Sequence, residues 1–287
     1  MILLTGITGN NGSATAEALL KRGVKFRALV RDKAKAADWA DKGVELVQGD
    51  LHDPASVAAA LDGCDKAVLI LSNSQDQERL EKSFINSAKA AGVEHLVKLS
   101  SPEAEPGTTG LTPAAHLAVE VALKESGMHW TLVRPAFFMQ NLAGTLPLIE
   151  QTGKLSMPLG NGTVALTDCA DSGEFIAMVL TTGPEEHYGQ TYDITGPDEV
   201  MNFRDIARVI GDVLGREVEY DDCDPVAYKA MIRPFLSSDW HSDAVATLFA
   251  QIADGTTPGV KTDTFQTMMG RPGTTFREFL ERITGKG

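Results

Sequence analysis

The sequence predicts an α/β fold, a doubly wound parallel sheet joined to a smaller mixed C-terminal lobe. Three observations point there. Short apolar runs alternate with helical patterns through the first half, a glycine-rich turn follows the first run at once, and the alternation loosens after Arg134-Pro135.

The periodicity places strands at 2–5, 26–30, 45–47, 67–71, 96–99 and 131–133, with helices at 12–22, 33–41, 54–61, 76–91 and 113–126 between them. Segment 67–71 reads Ala-Val-Leu-Ile-Leu and is continuously apolar, as a strand covered on both faces must be. Gly23, Gly92 and Gly127 stand where helices end. Asp53-Pro54 reads as an N-cap and a first helical residue. Beyond 135, short strands are expected at 163–166, 190–194 and 217–220. Helices are expected at 172–181, 202–214, 226–233, 239–252, 261–269 and 275–283, and Asp171-Ser172-Gly173-Glu174 reads as a capping box. No linker or internal repeat interrupts the chain.

Composition narrows the function. The net charge of −13 over 287 residues repels nucleic-acid phosphates and disfavours such a partner. No apolar run approaches the ~18 residues needed to span a bilayer, and the N-terminus lacks the basic flank of a signal peptide. Cys64, Cys169 and Cys223 are too far apart and too few for a disulfide framework or a zinc site. A cytoplasmic protein with a small-molecule ligand fits these limits, and they leave the oligomeric state open.

The strongest motif is Gly6-Ile7-Thr8-Gly9-Asn10-Asn11-Gly12. It leaves the first strand, opens the first helix and sits in a βαβ unit, the context in which such glycines bind a dinucleotide. Gly6 makes the turn, Gly9 lets the backbone approach a pyrophosphate, and Gly12 allows close helix packing. Free N–H groups at the helix start then hold the phosphate. Thr8, Asn10 and Asn11 complete that loop. The first half is therefore a Rossmann-type domain binding NAD(P), expected over 1–150. The lobe over 151–287 is expected to interleave with it.

The second strand ends in Val30-Arg31-Asp32. A carboxylate there accepts from the ribose 2′-hydroxyl of NAD, whereas a guanidinium pairs with the 2′-phosphate of NADP. Arg31 follows the strand directly and Lys33 and Lys35 stand close by, which favours NADP(H) over NAD(H). The competing reading of Arg31 is a solvated surface charge. Further strand ends should line the same crevice: Asp50 facing the adenine amino group, Ser72 and Asn73, then Ser100 and Ser101 near the nicotinamide.

The glycine motif with Val30-Arg31-Asp32 resembles the atypical short-chain dehydrogenase/reductases. The likeness continues through Ala91-Gly-Val-Glu-His-Leu-Val-Lys-Leu-Ser-Ser101, Leu132-Val-Arg-Pro-Ala-Phe-Phe-Met-Gln-Asn141 and Gly189-Gln-Thr-Tyr-Asp-Ile-Thr195. Together these resemble the NmrA-like branch, which contains NADPH-dependent quinone and triphenylmethane-dye reductases as well as redox sensors. The resemblance implies NADP(H) on the Rossmann domain and substrate between it and the small lobe.

The chain departs from the standard enzymes at the Tyr-x-x-x-Lys pair. Its tyrosines are Tyr188, Tyr192, Tyr220 and Tyr228, none near the fifth helix, where the chain instead has Thr112, His116 and Glu120 at i, i+4 spacing. His116 takes the lysine-like position and is a candidate to hydrogen-bond the nicotinamide ribose, against the plainer reading of a histidine facing a polar crevice. Thr112 is too weak an acid to replace tyrosine. Lack of a proton donor argues against reduction of simple ketones, which develop an alkoxide, and leaves conjugated acceptors that give a delocalised anion. After the sixth strand, Pro135 and Phe138 are expected beside the cofactor. Phe137, Phe138, Met139 and Asn141 are expected to line a pocket for a flat conjugated substrate, with core packing as the alternative for each apolar residue. Two functions follow: a reductase of quinone-like acceptors, or a non-catalytic sensor acting through a protein partner.

Overall fold

The computed structural model describes residues 1–286. The first six strands are β1 (Ile2–Leu4), β2 (Phe26–Val30), β3 (Glu45–Gln48), β4 (Lys66–Leu69), β5 (His95–Leu99) and β6 (His129–Pro135). The helices between them are α1 (Asn10–Lys21), α2 (Ala37–Asp41), α3 (Pro54–Leu61), α4 (Gln77–Ala90) and α5 (Leu111–Lys124). Strand Gln190–Ile194 joins beside β6 to give a seven-stranded sheet ordered β3-β2-β1-β4-β5-β6 and then that strand. β1 pairs in parallel with both β2 and β4, and the ladder stays parallel out to β3 and β6. Strand order thus reverses between β1 and β4, which opens a crevice at their carboxyl ends.

Several boundaries shift for physical reasons. β4 stops at Leu69 because the Ile70 N–H turns to the Thr5 hydroxyl, at 2.8 Å. Thr5 in turn donates to the Ile70 carbonyl at 2.8 Å, so one buried hydroxyl ties the ends of both crevice strands. The expected helix 33–41 is a 3₁₀ turn, Ala34–Ala36, followed by α2. Asp32 starts that turn by accepting from the Ala34 N–H at 2.9 Å. Asp53 caps α3 through Ala55, with Pro54 in its first turn.

The chain forms two compact units. The first holds Met1–Pro106, Ala114–Arg134 and Cys169–Asp193, and the second holds Gly107–Pro113, Pro135–Asp168 and Ile194–Gly287. Residue 150 therefore falls inside the second unit. Sequence after it returns to the first, because helix Cys169–Thr181 packs on α1. A Cβ on Gly173 would stand 2.4 Å from the Ala14 backbone, so only glycine permits this approach. The capping box expected at 171–174 is not there. The helix starts at Cys169 and carries Asp171 in its first turn, where a carboxylate still complements the helix dipole. A capping box does form at Thr275–Glu278, opening helix Phe276–Thr284.

The core of the first unit gathers Leu3, Leu69, Phe84, Leu96 and Leu132. That of the second is built on Phe203, Ile206 and Ile210 of helix Phe203–Leu214, with Phe276, Phe279 and Leu280. The expected strand 163–166 splits. Thr163–Val164 pairs antiparallel with Met201–Asn202, while Leu166–Thr167 pairs in parallel with Phe137–Phe138.

His95, fully buried in β5, bonds through Nε2 to the Thr131 hydroxyl at 2.8 Å, which itself donates to the His187 carbonyl at 2.7 Å. Burial, with Lys66, His187 and His129 nearby, pulls the His95 pKa down to about 4. A depressed histidine pKa favours the neutral native state, so its contribution is complete above the unfolded value of about 6.5 and is lost as pH falls through about 4. The difference corresponds to roughly 3 kcal/mol. Urea midpoints are expected to drop across that window, and to drop less in His95→Gln.

Candidate functional site

The turn after β1 is held by geometry that only glycine supplies at two of its three positions. Gly6 has φ +72°, and a Cβ there would meet the Ile70 carbonyl oxygen at 2.7 Å. A Cβ on Gly12 would fall 1.9 Å from the Gly6 carbonyl oxygen. Gly9 differs. Its φ of −99° suits any residue, and a Cβ would meet nothing in the protein nearer than the Gly6 oxygen at 3.5 Å. Folding therefore accounts for Gly6 and Gly12 and leaves Gly9 without a structural reason. Thr8, Gly9 and Asn10 are exposed, and the first-turn N–H groups of α1 have no intrahelical acceptors. Asn11 adds a buried Oδ1 that has no hydrogen-bond partner among the described residues.

Arg31 lies exposed just past β2, and its guanidinium makes no hydrogen bond or ion pair among the described residues. Asp32, its competitor for a ribose, accepts at Oδ1 from the Ala34 N–H at 2.9 Å. Lys35 is exposed in that same turn. Asp50 accepts at Oδ1 from the backbone and the ring of His52, at 2.9 and 2.8 Å, and these bonds hold its carboxyl below the usual range. Its second oxygen has no such partner among the described residues. Ser72 is exposed and Asn73 half-buried in the loop after β4.

The ends of β5 and β6 carry a buried polar network. Arg134 is 5% exposed and forks onto Glu120, with Nε to Oε1 at 2.8 Å and Nη2 to Oε2 at 2.6 Å. It also donates to the Ala104 carbonyl at 3.0 Å and pairs with Glu105. Ser100 donates to Glu120 Oε1 at 2.6 Å. Burial alone raises the Glu120 pKa, but Arg134 and Ser100 more than offset it and hold the carboxyl below its usual range. Burial likewise opposes the Arg134 charge, and the Glu120 and Glu105 carboxylates outweigh it. Ser101 donates to Glu103. Both serines expected near the nicotinamide thus have their hydroxyl protons committed to carboxylates.

His116 is 7% exposed on α5 and meets a second cluster that sequence reasoning missed: Gln77 and Glu81 of α4 and Lys98 of β5, all at 0% exposure. Lys98 Nζ lies 2.8 Å from His116 Nδ1 and 3.2 Å from Glu81 Oε2. Burial, reinforced by the charges of Lys98 and Arg134, holds the His116 pKa well below its ordinary value. The ring is neutral. Thr112 is half-buried on the first turn of α5.

Residues expected along the substrate side belong to the second unit. Met139 is a correction: it is fully buried in that unit's core, because the first turn of helix Met139–Ala143 points it inward beside Leu142. Phe137 packs on the same core, edge-to-face with Phe203 at 6.3 Å between ring centroids. Phe138 is half-buried, Asn141 is exposed and Pro135 is buried at the end of β6.

With this geometry in hand, the chain compares closely with known proteins. It is 34% identical to an NAD(P)H azoreductase of Xenophilus azovorans over 98% of this chain and 97% of that one. It is 32% identical to a (4-alkanoyl-5-oxo-2,5-dihydrofuran-3-yl)methyl phosphate reductase of Streptomyces griseus, over 97% and 96% of the two chains. An NADPH-dependent quinone oxidoreductase of Escherichia coli, crystallised with NADPH, superposes with a TM-score of 0.88. It is 27% identical and the match covers 99% of this chain and 100% of that one. The family model of the NmrA-like proteins matches residues 1–256, and the chain belongs to the NmrA-like family.

Proposed function

We propose that this protein is an NADPH-dependent reductase that transfers hydride to a small conjugated acceptor. The observation that carries the reading is the turn at Gly6–Gly12, with room at Gly9 that nothing in the fold requires, and at the next strand end Arg31, whose guanidinium has no hydrogen bond or ion pair among the described residues. A pyrophosphate against Gly9 would take the N–H groups of the α1 start, and Arg31 would take a 2′-phosphate. Bound there, the dinucleotide supplies a hydride and is left oxidised. Asp32 spends one carboxylate oxygen on the Ala34 N–H, which weakens it as a competitor for an unphosphorylated ribose.

The chain's own groups suit acceptors that need no protein acid. No tyrosine precedes Tyr188, His116 is neutral, and Ser100 and Ser101 direct their protons to carboxylates. An azo group, a quinone and an unsaturated lactone, the acceptors named in the relatives, each spread the incoming electron pair over a conjugated system. Solvent can then supply the proton. An isolated ketone instead concentrates charge on one oxygen and needs a donor in place. Quinones and azo dyes are therefore expected to turn over much faster than unactivated ketones.

Steady-state NADPH oxidation with a panel of quinones, azo dyes, enones and simple ketones tests this. Tight NADPH binding with no turnover on any acceptor would move the protein to the sensor class. Arg31→Ala is expected to weaken NADPH by roughly tenfold to a hundredfold and to leave NADH nearly unchanged, as loss of one charge-assisted phosphate contact requires. Equal losses for both cofactors in calorimetry would contradict the role of Arg31.

A further inference from the structure

We propose that Lys98 is a positioning residue that locks His116 as the neutral tautomer with its proton on Nε2, giving the ring a fixed N–H donor that does not titrate. Its use toward a ligand oxygen rests on the reductase reading. The tautomer itself does not.

Lys98 stands where no lysine is expected. β5 reads His-Leu-Val-Lys-Leu, and its one formally charged side chain, Lys98, is wholly buried. Three groups stand within hydrogen-bonding reach of its Nζ: the Leu99 carbonyl at 3.0 Å, Glu81 Oε2 at 3.2 Å and His116 Nδ1 at 2.8 Å. An ammonium has three N–H groups and no lone pair, so it can only donate. The Leu99 carbonyl takes one of its protons, and Glu81 faces it as an ion pair. Another points at Nδ1, which must accept from a group that has no lone pair, and the ring proton is left on Nε2. The other tautomer would set two donors 2.8 Å apart in a dry interior.

The charged neighbours agree. From α4, Gln77 sets its side-chain amide 3.3 Å from both ring nitrogens with its Oε1 unpartnered among the described residues, so the amide turned over accepts from an Nε2–H, while Glu81 faces Lys98. From β6, Arg134 adds a second positive charge, and Glu120 on His116's own helix is already taken by Arg134 and Ser100. A protonated His116 would lose the Lys98 bond and stand as a third cation beside Lys98 and Arg134. Glu81 is the carboxyl that faces Lys98; burial pushes its pKa up and the Lys98 charge opposes that. A neutral imidazole N–H gives up a hydrogen bond without giving up its proton. On an oxygen that gains charge during hydride arrival, it stabilises the anion and leaves protonation to solvent.

The test uses the full-length protein without ligand. Nitrogen-15 NMR of labelled histidines between about pH 5 and 8, the range in which an ordinary histidine titrates, reads tautomer and titration together. In the wild type, His116 is expected as the Nε2–H form with no midpoint in that range. An Nδ1–H signal, or a midpoint within it, would overturn the proposal.

Removing Lys98 alone strands Glu81, so the second measurement uses the charge-neutral pair Glu81→Leu/Lys98→Met. Both tautomers are expected there, and an unchanged Nε2–H signal would show that Lys98 does not set it. Function is read with His116→Gln, whose amide keeps a donor near Nε2 and an acceptor toward Lys98. Its kcat is expected within about tenfold of wild type. A loss of ~10³-fold with normal NADPH binding would mean that the ring transfers a proton, against the proposal. Failure of the reductase reading would appear instead as no NADPH oxidation by the wild type, with the NMR result standing.

Discussion

Gly9→Val is expected to yield a folded protein that no longer binds the dinucleotide. Valine's branches point into space the protein does not use, and the backbone at φ −99° already suits an L-residue, so the thermal midpoint should stay close to wild type. A pyrophosphate seated on the α1 start would meet those methyl groups. NADPH affinity should fall by at least a hundredfold, the scale of losing several phosphate contacts at once. Gly12→Ala gives the contrasting result: its Cβ falls 1.9 Å from the Gly6 carbonyl oxygen, so folding suffers first. Calorimetric binding of NADPH to folded Gly9→Val at wild-type affinity would remove the turn as the cofactor site.

Glu81→Leu is expected to cost about 3–5 kcal/mol of stability, because it leaves the Lys98 ammonium buried without its counter-charge. Both side chains are at 0% exposure, so neither can turn to water without opening the packing between α4 and β5. Adding Lys98→Met should recover most of the loss, since an apolar pair of similar volume avoids desolvating two charges. Chemical denaturation of the two single variants and the double variant measures the coupling. A Glu81→Leu protein as stable as wild type would mean that Lys98 finds another anion or gives up its proton.

Much of the first unit was legible because its signals are local. Alternating apolar runs, a glycine at a strand-to-helix turn and Asp53-Pro54 at a helix start each act over a few residues. What escaped notice depends on partners far apart in sequence: Lys98 with Glu81, and Arg134 with Glu120 and Glu105. A trace was nonetheless present. Gln77 and Glu81 fall in the same helical phase as Leu80, Phe84, Ile85 and Ala88, the face that α4 buries. A carboxylate on an apolar face and a lysine inside a two-sided strand are each improbable alone, and together they predict a buried pair. In the second unit, Met139 read as a pocket wall because its segment is apolar. Nothing local told a residue facing a cavity from one facing the core. Asp171 misled for a similar reason, since a cap and a first-turn acid share one composition.

The return of helix Cys169–Thr181 to α1 sets the order in which this protein can be completed on a ribosome. A nascent chain that has emerged only as far as β6 already contains the whole glycine turn. It lacks Gly173 and its helix to cover Ala14 and Thr15, and it lacks Gln190–Ile194 to pair with β6. Such an intermediate shows solvent a small-residue helix face and an open sheet edge, the features that recruit other unfinished chains. The helix that covers α1 emerges only after the segment Pro135–Asp168 has been made. The nucleotide turn is among the first parts of the chain to be synthesised, and its supporting helix is among the last parts of that unit to arrive.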